Sequence, residues 1–177
     1  MLYGSPYTKL LDRSRYLITK YMESQYMKQA TFTVEFTSHC LASGNADVAK
    51  NYDTFHHTSD GSIIFSQSWF YSAFDRAIRS LRVSGVKPGD ICMKLNVKAP
   101  VEVYTRRYSV DKFRTHEAIM PGTKVTFKAL VEDHVTQSIL DQILQHVGDY
   151  VGISPYGFKL GYGKFNLLGV EVESSEK

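Results

Sequence analysis

The order of its periodic segments predicts an α+β fold for this chain, with one antiparallel sheet carrying two helices on a single face. In four segments apolar residues alternate with polar ones, which is the pattern of half-buried strands. In two longer segments apolar residues recur at helical spacing, which is the pattern of amphipathic helices. Along the chain these segments follow the order strand, helix, strand, strand, helix, strand.

The length and composition are those of one globular domain, or of one globular domain with an appendage. The chain has 177 residues, of which 43% are hydrophobic and 22% are charged, and this is enough for an ordinary core. The formal net charge of +3 is too small to indicate a nucleic-acid partner by itself. Two cysteines without CxxC spacing argue against a zinc site or a disulfide framework. No segment reads as a signal peptide or a membrane span, so we expect a cytoplasmic protein without metal, cofactor or membrane partner.

An amphipathic helix is predicted over residues 6–27, ahead of the first strand. Its apolar positions recur at helical spacing, and Pro6 suits the first turn of a helix. We therefore assign residues 1–29 to an N-terminal helical extension, which could contact a neighbouring subunit. Residues 30–177 make up the remaining domain.

The first strand is predicted over residues 31–41, where Phe32, Val34 and Phe36 alternate with threonines and a glutamate. The helices are predicted from stripes of apolar residues, and a glycine, Gly148, is expected to end the second one. The other elements follow in order: a polar loop (42–65), a helix (67–82), strands (91–98 and 123–132), a helix (136–147) and a last strand (164–172).

A basic and aromatic insertion, residues 99–122, separates the second strand from the third. Tyrosines and arginines alternate with other residues from Val101 to His116, which predicts a β-hairpin. Arginine and tyrosine side by side can contact phosphates and stack on bases. The alternative is a solvated surface hairpin without a ligand.

The most distinctive segment is Val151–Leu168, VGISPYGFKLGYGKFNLL, in which four glycines stand among aromatic and lysine residues. Glycine permits positive φ and lets a backbone approach another chain closely. Aromatic rings offer faces on which bases stack, and lysines attract phosphates. This glycine-rich segment could therefore hold a nucleic-acid strand, or it could be an ordinary turn.

The order of elements is that of the ferredoxin-like βαββαβ fold, and over residues 30–172 the layout resembles the RAMP superfamily of CRISPR-associated RNA-binding proteins (the Cas5-, Cas6- and Cas7-like groups). That superfamily has a glycine-rich loop between the second helix and the final strand, which here is Gly152–Phe165. Its Cas7-like members have a hairpin where this chain has Ala99–Met120. The resemblance implies RNA binding, in a CRISPR component or in a compact stand-alone or phage-borne relative.

These observations together predict a non-enzymatic protein that binds nucleic acid, single-stranded RNA in preference to DNA. It could act as a repeated backbone-type subunit, by self-association or within a larger complex, in a bacterial, archaeal or phage-infected cell. The predicted contact residues lie in the second strand, the hairpin and the glycine-rich segment: Lys94, Lys98, Tyr104, Arg106, Arg107, Arg114, Tyr156, Lys159, Gly161, Tyr162, Gly163 and Lys164.

Two other functions stay open at this point. The first is a small metal-independent ribonuclease of the Cas6-like type, for which the resemblance implies a catalytic group in the loop after the first strand. His56, His57 and Asp53 lie in that loop, and an imidazole that titrates near neutral pH suits proton transfer. The second is a viral structural or assembly protein whose tyrosine-rich surface forms an interface.

Overall fold

The computed structural model describes residues 27–47 and 52–173, which form an α+β protein with mostly antiparallel sheets. The predicted N-terminal helix lies outside the described residues, except for Met27, which begins the first strand. None of the helices in the described ranges is long and apolar enough to cross a membrane.

The strands and helices are numbered in chain order. The strands are β1 (Met27–Phe36), β2 (Cys40–Leu41), β3 (Asn45–Asp47), β4 (Tyr52–Thr54), β5 (His56–His57), β6 (Ile63–Ile64), β7 (Ile91–Met93), β8 (Asn96–Val97), β9 (Glu102–Ser109), β10 (Lys112–Ile119), β11 (Lys124–Glu132) and β12 (Phe165–Val172). The helices are α1 (Gln67–Leu81), α2 (Gln137–His146) and α3 (Gly157–Leu160).

The principal sheet has the strand order β12-β1-β11-β7, and every neighbouring pair in it is antiparallel. Its central strand, β1, places Phe32 opposite Phe127 and Val34 opposite Val125. All four of these side chains are buried, so the period-two pattern of the sequence gives one face of the sheet to the core. The predicted α+β class with antiparallel pairing is confirmed.

The apolar stripes of α1 and α2 share one core with the buried face of this sheet. The ring of Phe70 in α1 meets the ring of Phe127 edge-on, with centroids 5.5 Å apart. Leu140 and Ile143 in α2 are fully buried. Burying each such side chain stabilises the fold by about 1.5–3 kcal/mol, and the two helices therefore lie where their stripes predict.

The first and second strands both end earlier than predicted, and the first also begins earlier, at Met27. The first ends at Phe36, and just beyond it the amide of Thr37 donates to the carbonyl of Lys164, next to β12, at 2.9 Å. Residues Cys40–Leu41 then pair with β10 in a second sheet. The second ends at Met93, and Asn96–Val97 joins a small sheet with β5 and β6. The described part of the predicted polar loop 42–65 contains four short strands, β3 to β6.

The prediction that Gly148 ends the second helix is wrong. The chain continues from α2 into a π-helical turn, Val147–Val151, and leaves it at Gly152 with a φ of 81°. Gly148 lies inside that turn because Phe165 packs directly on it. A Cβ at Gly148 would lie 2.3 Å from the carbonyl oxygen of Phe165, so this glycine serves close packing between the turn and β12.

The predicted hairpin is present and is formed by β9 and β10, with Asp111 at a φ of 60° in its turn. Strand β10 also pairs with β2 in antiparallel and with β4 in parallel orientation. The hairpin is therefore anchored at its base by the segment that follows β1.

Candidate nucleic-acid interface

The hairpin and the glycine-rich segment meet through aromatic and arginine side chains. The guanidinium of Arg106 lies 4.3 Å from the ring centroid of Tyr156. The rings of Tyr104 and Tyr162 meet edge-on with centroids 6.2 Å apart, and His39 stacks on Tyr104 at 4.0 Å. We call these five side chains the aromatic–arginine cluster. Four of them were predicted contact residues from two separate parts of the sequence, and the structure brings them together.

Strand alternation explains which hairpin residues enter the cluster. Side chains two apart in β9 share a face, so Tyr104 and Arg106 point together toward the glycine-rich segment. Arg107 lies on the opposite face, where its Nε donates to the carbonyl of Ser109 at 3.2 Å. The adjacent arginines Arg106 and Arg107, which the sequence predicts to have the same role, therefore have different surroundings.

A buried histidine, His116, supports the cluster from within. It lies opposite Tyr104 across the hairpin and is fully inaccessible to solvent. Its Nδ1 lies 2.9 Å from the carbonyl oxygen of Ala42, and its Nε2 lies 3.2 Å from Nε of Arg106. Burial lowers the pKa of His116 below its ordinary value, because a charged ring would lose its hydration.

Arg114, a predicted contact residue, forms an ion pair within the protein. Its guanidinium donates two hydrogen bonds to the buried carboxylate of Asp53, and these bonds raise the pKa of Arg114. Asp53 is also the aspartate that the sequence offered as a catalytic alternative. The ion pair gives both residues a structural role in joining β10 to β4.

The glycine-rich segment contains helix α3 and folds back on itself. A Cβ at Gly152 would lie 2.2 Å from the carbonyl oxygen of Tyr162, and one at Gly163 would lie 2.9 Å from the amide nitrogen of Ile153. Gly161 has open space around its Cα but a φ of 78°. The segment's own conformation thus favours glycine at both positions, through positive φ at Gly161 and Gly163 and through close packing at Gly163.

The remaining predicted lysines lie apart from the ring and guanidinium contacts of the cluster. Lys159 is exposed in α3. The backbone amide of Lys164 donates to Oγ of Ser38 at 2.9 Å. Lys94 and Lys98 are exposed near β7 and β8. These four side chains could add positive charge along a bound strand, but they do not form the centre of the site.

The two loop histidines occupy exposed positions in β5. Nε2 of His57 lies 2.8 Å from the carboxylate of Glu117, which also accepts from the amide of Phe55 at 2.9 Å. Glu117 alternates with His116 in β10 and so belongs to the opposite face of the hairpin. His57 is therefore oriented by a carboxylate, on the side of the hairpin away from the cluster.

Sequence reasoning missed two members of this arrangement, His39 and His116. His39 lies within the predicted first strand, far in the sequence from Tyr104, so only the tertiary fold places it on that ring. His116 did carry a signal, because it alternates with Arg114 along the hairpin and so had to share its face.

No protein-family model matches this sequence, and no curated protein matches it either. Among solved structures, the fold is similar to that of a chain in the cryo-EM structure of the Type III-B Cmr-beta bound to cognate target RNA, with a TM-score of 0.58. The match covers 97% of this chain and 68% of that chain, at 11% sequence identity. The likeness is one of fold.

Proposed function

We propose that this protein binds single-stranded RNA, without catalysing a reaction on it, through the aromatic–arginine cluster. The observation that carries the proposal is the junction of hairpin and glycine-rich segment, where Arg106 lies on Tyr156 and Tyr104 meets Tyr162. Bases stack on exposed ring faces, with about 1–3 kcal/mol for each base. A guanidinium beside them supplies charge-assisted hydrogen bonds to phosphate.

The arrangement of the elements supports the same proposal. The strand order β12-β1-β11-β7, with α1 and α2 sharing the core of one face, is the order expected of a ferredoxin-like fold. The hairpin lies between its second and third strands, and the glycine-rich segment precedes its last strand. We infer a relative of the RAMP superfamily from this layout. The solved neighbour is described as bound to RNA, which favours RNA over DNA here.

Binding of this kind is largely independent of sequence, because every base has a face that can stack. The exposed lysines Lys94, Lys98 and Lys159 would extend the positive surface along the backbone of the strand. We extend the proposal to self-association, since Val103 and Val110 in the hairpin are 67% and 74% exposed. Apolar side chains at such positions suit burial against a partner.

Three measurements test the proposal. The protein should carry nucleic acid through purification, seen as a raised ratio of absorbance at 260 nm to that at 280 nm, and size-exclusion chromatography should report its assembly. Fluorescence anisotropy should then show tighter binding to an oligouridylate than to the matching DNA strand or a duplex. Absence of binding to either single strand at about 50 mM salt, where phosphate contacts are strong, would contradict the proposal.

A further inference from the structure

Arg106 is held in the cluster by one tautomer of a buried histidine. Guanidinium nitrogens only donate hydrogen bonds, so Nε2 of His116 must be the acceptor in its 3.2 Å contact with Nε of Arg106. Its Nδ1 must then carry the proton and donate to the carbonyl of Ala42 at 2.9 Å. The contact with Arg106 therefore requires a neutral His116 ring.

Burial disfavours protonation of the His116 ring, and the two neighbouring guanidinium groups act in the same direction, whereas Asp53 opposes them. One carboxylate faces the ring, that of Asp53 in β4, with Oδ2 at 3.3 Å from Nδ1. Asp53 is already engaged by Arg114 of β10, and Arg106 of β9 supplies a second guanidinium.

The titratable neighbours complete this environment. Tyr156 of the glycine-rich segment meets the His116 ring edge-on at 5.3 Å, and Tyr104 is its partner across the hairpin. A proton on Nε2 would turn an acceptor into a donor and place a third positive charge among two guanidinium groups and one carboxylate. Arg106 would then have to leave the ring nitrogen, and with it the position from which it lies on Tyr156.

We propose that His116 is a positioning residue for RNA binding, whose neutral ring keeps Arg106 on Tyr156, so that acidification releases Arg106 and weakens binding. This inference rests on the proposed RNA binding at the cluster. The expected change of RNA affinity with pH has an unusual sign. Acidification ordinarily adds positive charge at histidines and strengthens attraction to phosphate, whereas His116 makes the effect opposite in sign.

The test compares binding at about pH 8 and about pH 4.5, well below the ordinary histidine pKa, because burial lowers the pKa of His116. Ionic strength is constant, and circular dichroism checks that the protein stays folded at the lower pH. The probe is a fluorescent oligouridylate, since uracil does not titrate in this range. For the wild-type protein we expect affinity to fall about three- to tenfold at the lower pH, the size of one lost hydrogen bond. In His116→Gln the amide oxygen can accept from Arg106 and does not titrate, so the ratio between the two pH values should show no such fall. His134→Gln, at an exposed histidine paired with Asp90, should retain the wild-type ratio.

A measurement on the wild-type protein without RNA tests whether a neutral His116 ring holds Arg106. Nitrogen-15 NMR should show the Nδ1–H tautomer of His116 at neutral pH and a shift of the Arg106 Nε signal as His116 titrates. The Nε2–H tautomer would overturn the inference. Binding that is equally tight or tighter at low pH would overturn it while leaving the proposed function intact. Failure to bind at both pH values would overturn the proposed function and this inference together.

Discussion

Arg114 donates two hydrogen bonds to the carboxylate of Asp53, at 2.5 and 2.7 Å. The pair joins β10 to β4, the one strand that runs parallel to it in the described part of this sheet. Asp53 is almost wholly buried, with its side chain 2% exposed, whereas the side chain of Arg114 is 34% exposed. Because it has little contact with water, the carboxylate relies on Arg114 for its hydrogen bonds far more than the guanidinium relies on Asp53.

Asp53→Ala should lower the free energy of unfolding by about 2–3 kcal/mol, because it removes two charge-assisted hydrogen bonds and leaves Arg114 without its carboxylate. Chemical denaturation followed by circular dichroism measures this. Asp75→Ala is the matched control, since Asp75 forms an exposed helix pair with Arg79 that should contribute less than about 0.5 kcal/mol. Equal losses in the free energy of unfolding would mean that the Asp53–Arg114 pair stabilises the fold no more than an exposed ion pair does.

Stability should fall as the pH is lowered from about 7 toward 5. Burial lowers the pKa of His116 and that of His39 from the ordinary 6.5. Below about pH 6.5 the unfolded chain therefore binds protons that the folded protein does not, and the contribution, fully present above that pH, is lost on acidification. The slope for His116 alone can reach about 1.4 kcal/mol per pH unit. Melting temperatures across this range measure it, and a smaller pH slope in His116→Gln would assign it to that residue.

Alanine should destabilise the protein at Gly163 more than at Gly161. Both glycines have positive φ, which costs about 1 kcal/mol for alanine. At Gly163 the added Cβ would also meet backbone atoms of Ile153 at 2.9 and 3.0 Å, which cannot move aside easily. Thermal melting distinguishes the two, and Gly161→Asn should recover part of the loss because asparagine tolerates this conformation. Equal melting temperatures for the two alanine variants would argue against the tight packing at Gly163.

Arg106→Ala should flatten the salt dependence of RNA binding, whereas Arg107→Ala should change it less. Each phosphate contact with a single strand contributes about −0.7 to the log–log slope, and only Arg106 points into the cluster. Anisotropy titrations at several salt concentrations measure both slopes. The neighbouring arginine is a close control, since it has the same charge and strand. A larger effect of Arg107 would place the bound strand on the other face of the hairpin.

His57→Ala and His56→Ala should leave RNA affinity within about threefold, because exposed substitutions rarely change free energies by more than ~0.5 kcal/mol. The measurement is binding together with the integrity of a labelled RNA, in the presence of a chelator. Cleavage by the wild-type protein that either substitution abolishes, with binding retained, would instead support the ribonuclease alternative. The contact of His57 with Glu117 makes His57 the first of the two to test.

Periodicity predicted the elements of the principal sheet because their side chains obey the local rule that strands bury alternate residues. Phe32, Val34 and Phe36 are all buried on one face, as their alternation indicates. The end of β1 escaped prediction, since alternation continues through Cys40 in the sequence. Residues Cys40–Leu41 pair instead with β10, where the partner of Leu41 is Ala118, 77 residues later in the chain.

The residues of the candidate site were likewise predictable only where local patterns determine their positions. Tyr104 and Arg106 could be predicted because they alternate on a hairpin whose turn and strands are local. Arg114 could not be separated from them, because its partner Asp53 lies 61 residues away. The glycines correctly indicated positive φ. The sequence could not show whether the space beside a glycine is taken by a ligand or by the protein itself. At Gly163 that space is taken by backbone atoms of Ile153, which no local pattern reveals.

The central position of β1 has a consequence for biosynthesis. Its partners β11 and β12 follow it by roughly 90 residues or more in the chain, which a ribosome adds in about 5–20 s. During that interval the apolar face of β1, with Phe32 and Phe36, emerges without the strands and helices that later cover it. Long-range pairing of this kind is slow to form and exposes strand edges. A nascent chain halted before Lys124 should therefore bind chaperones or aggregate, and the principal sheet is completed only after β12 has emerged.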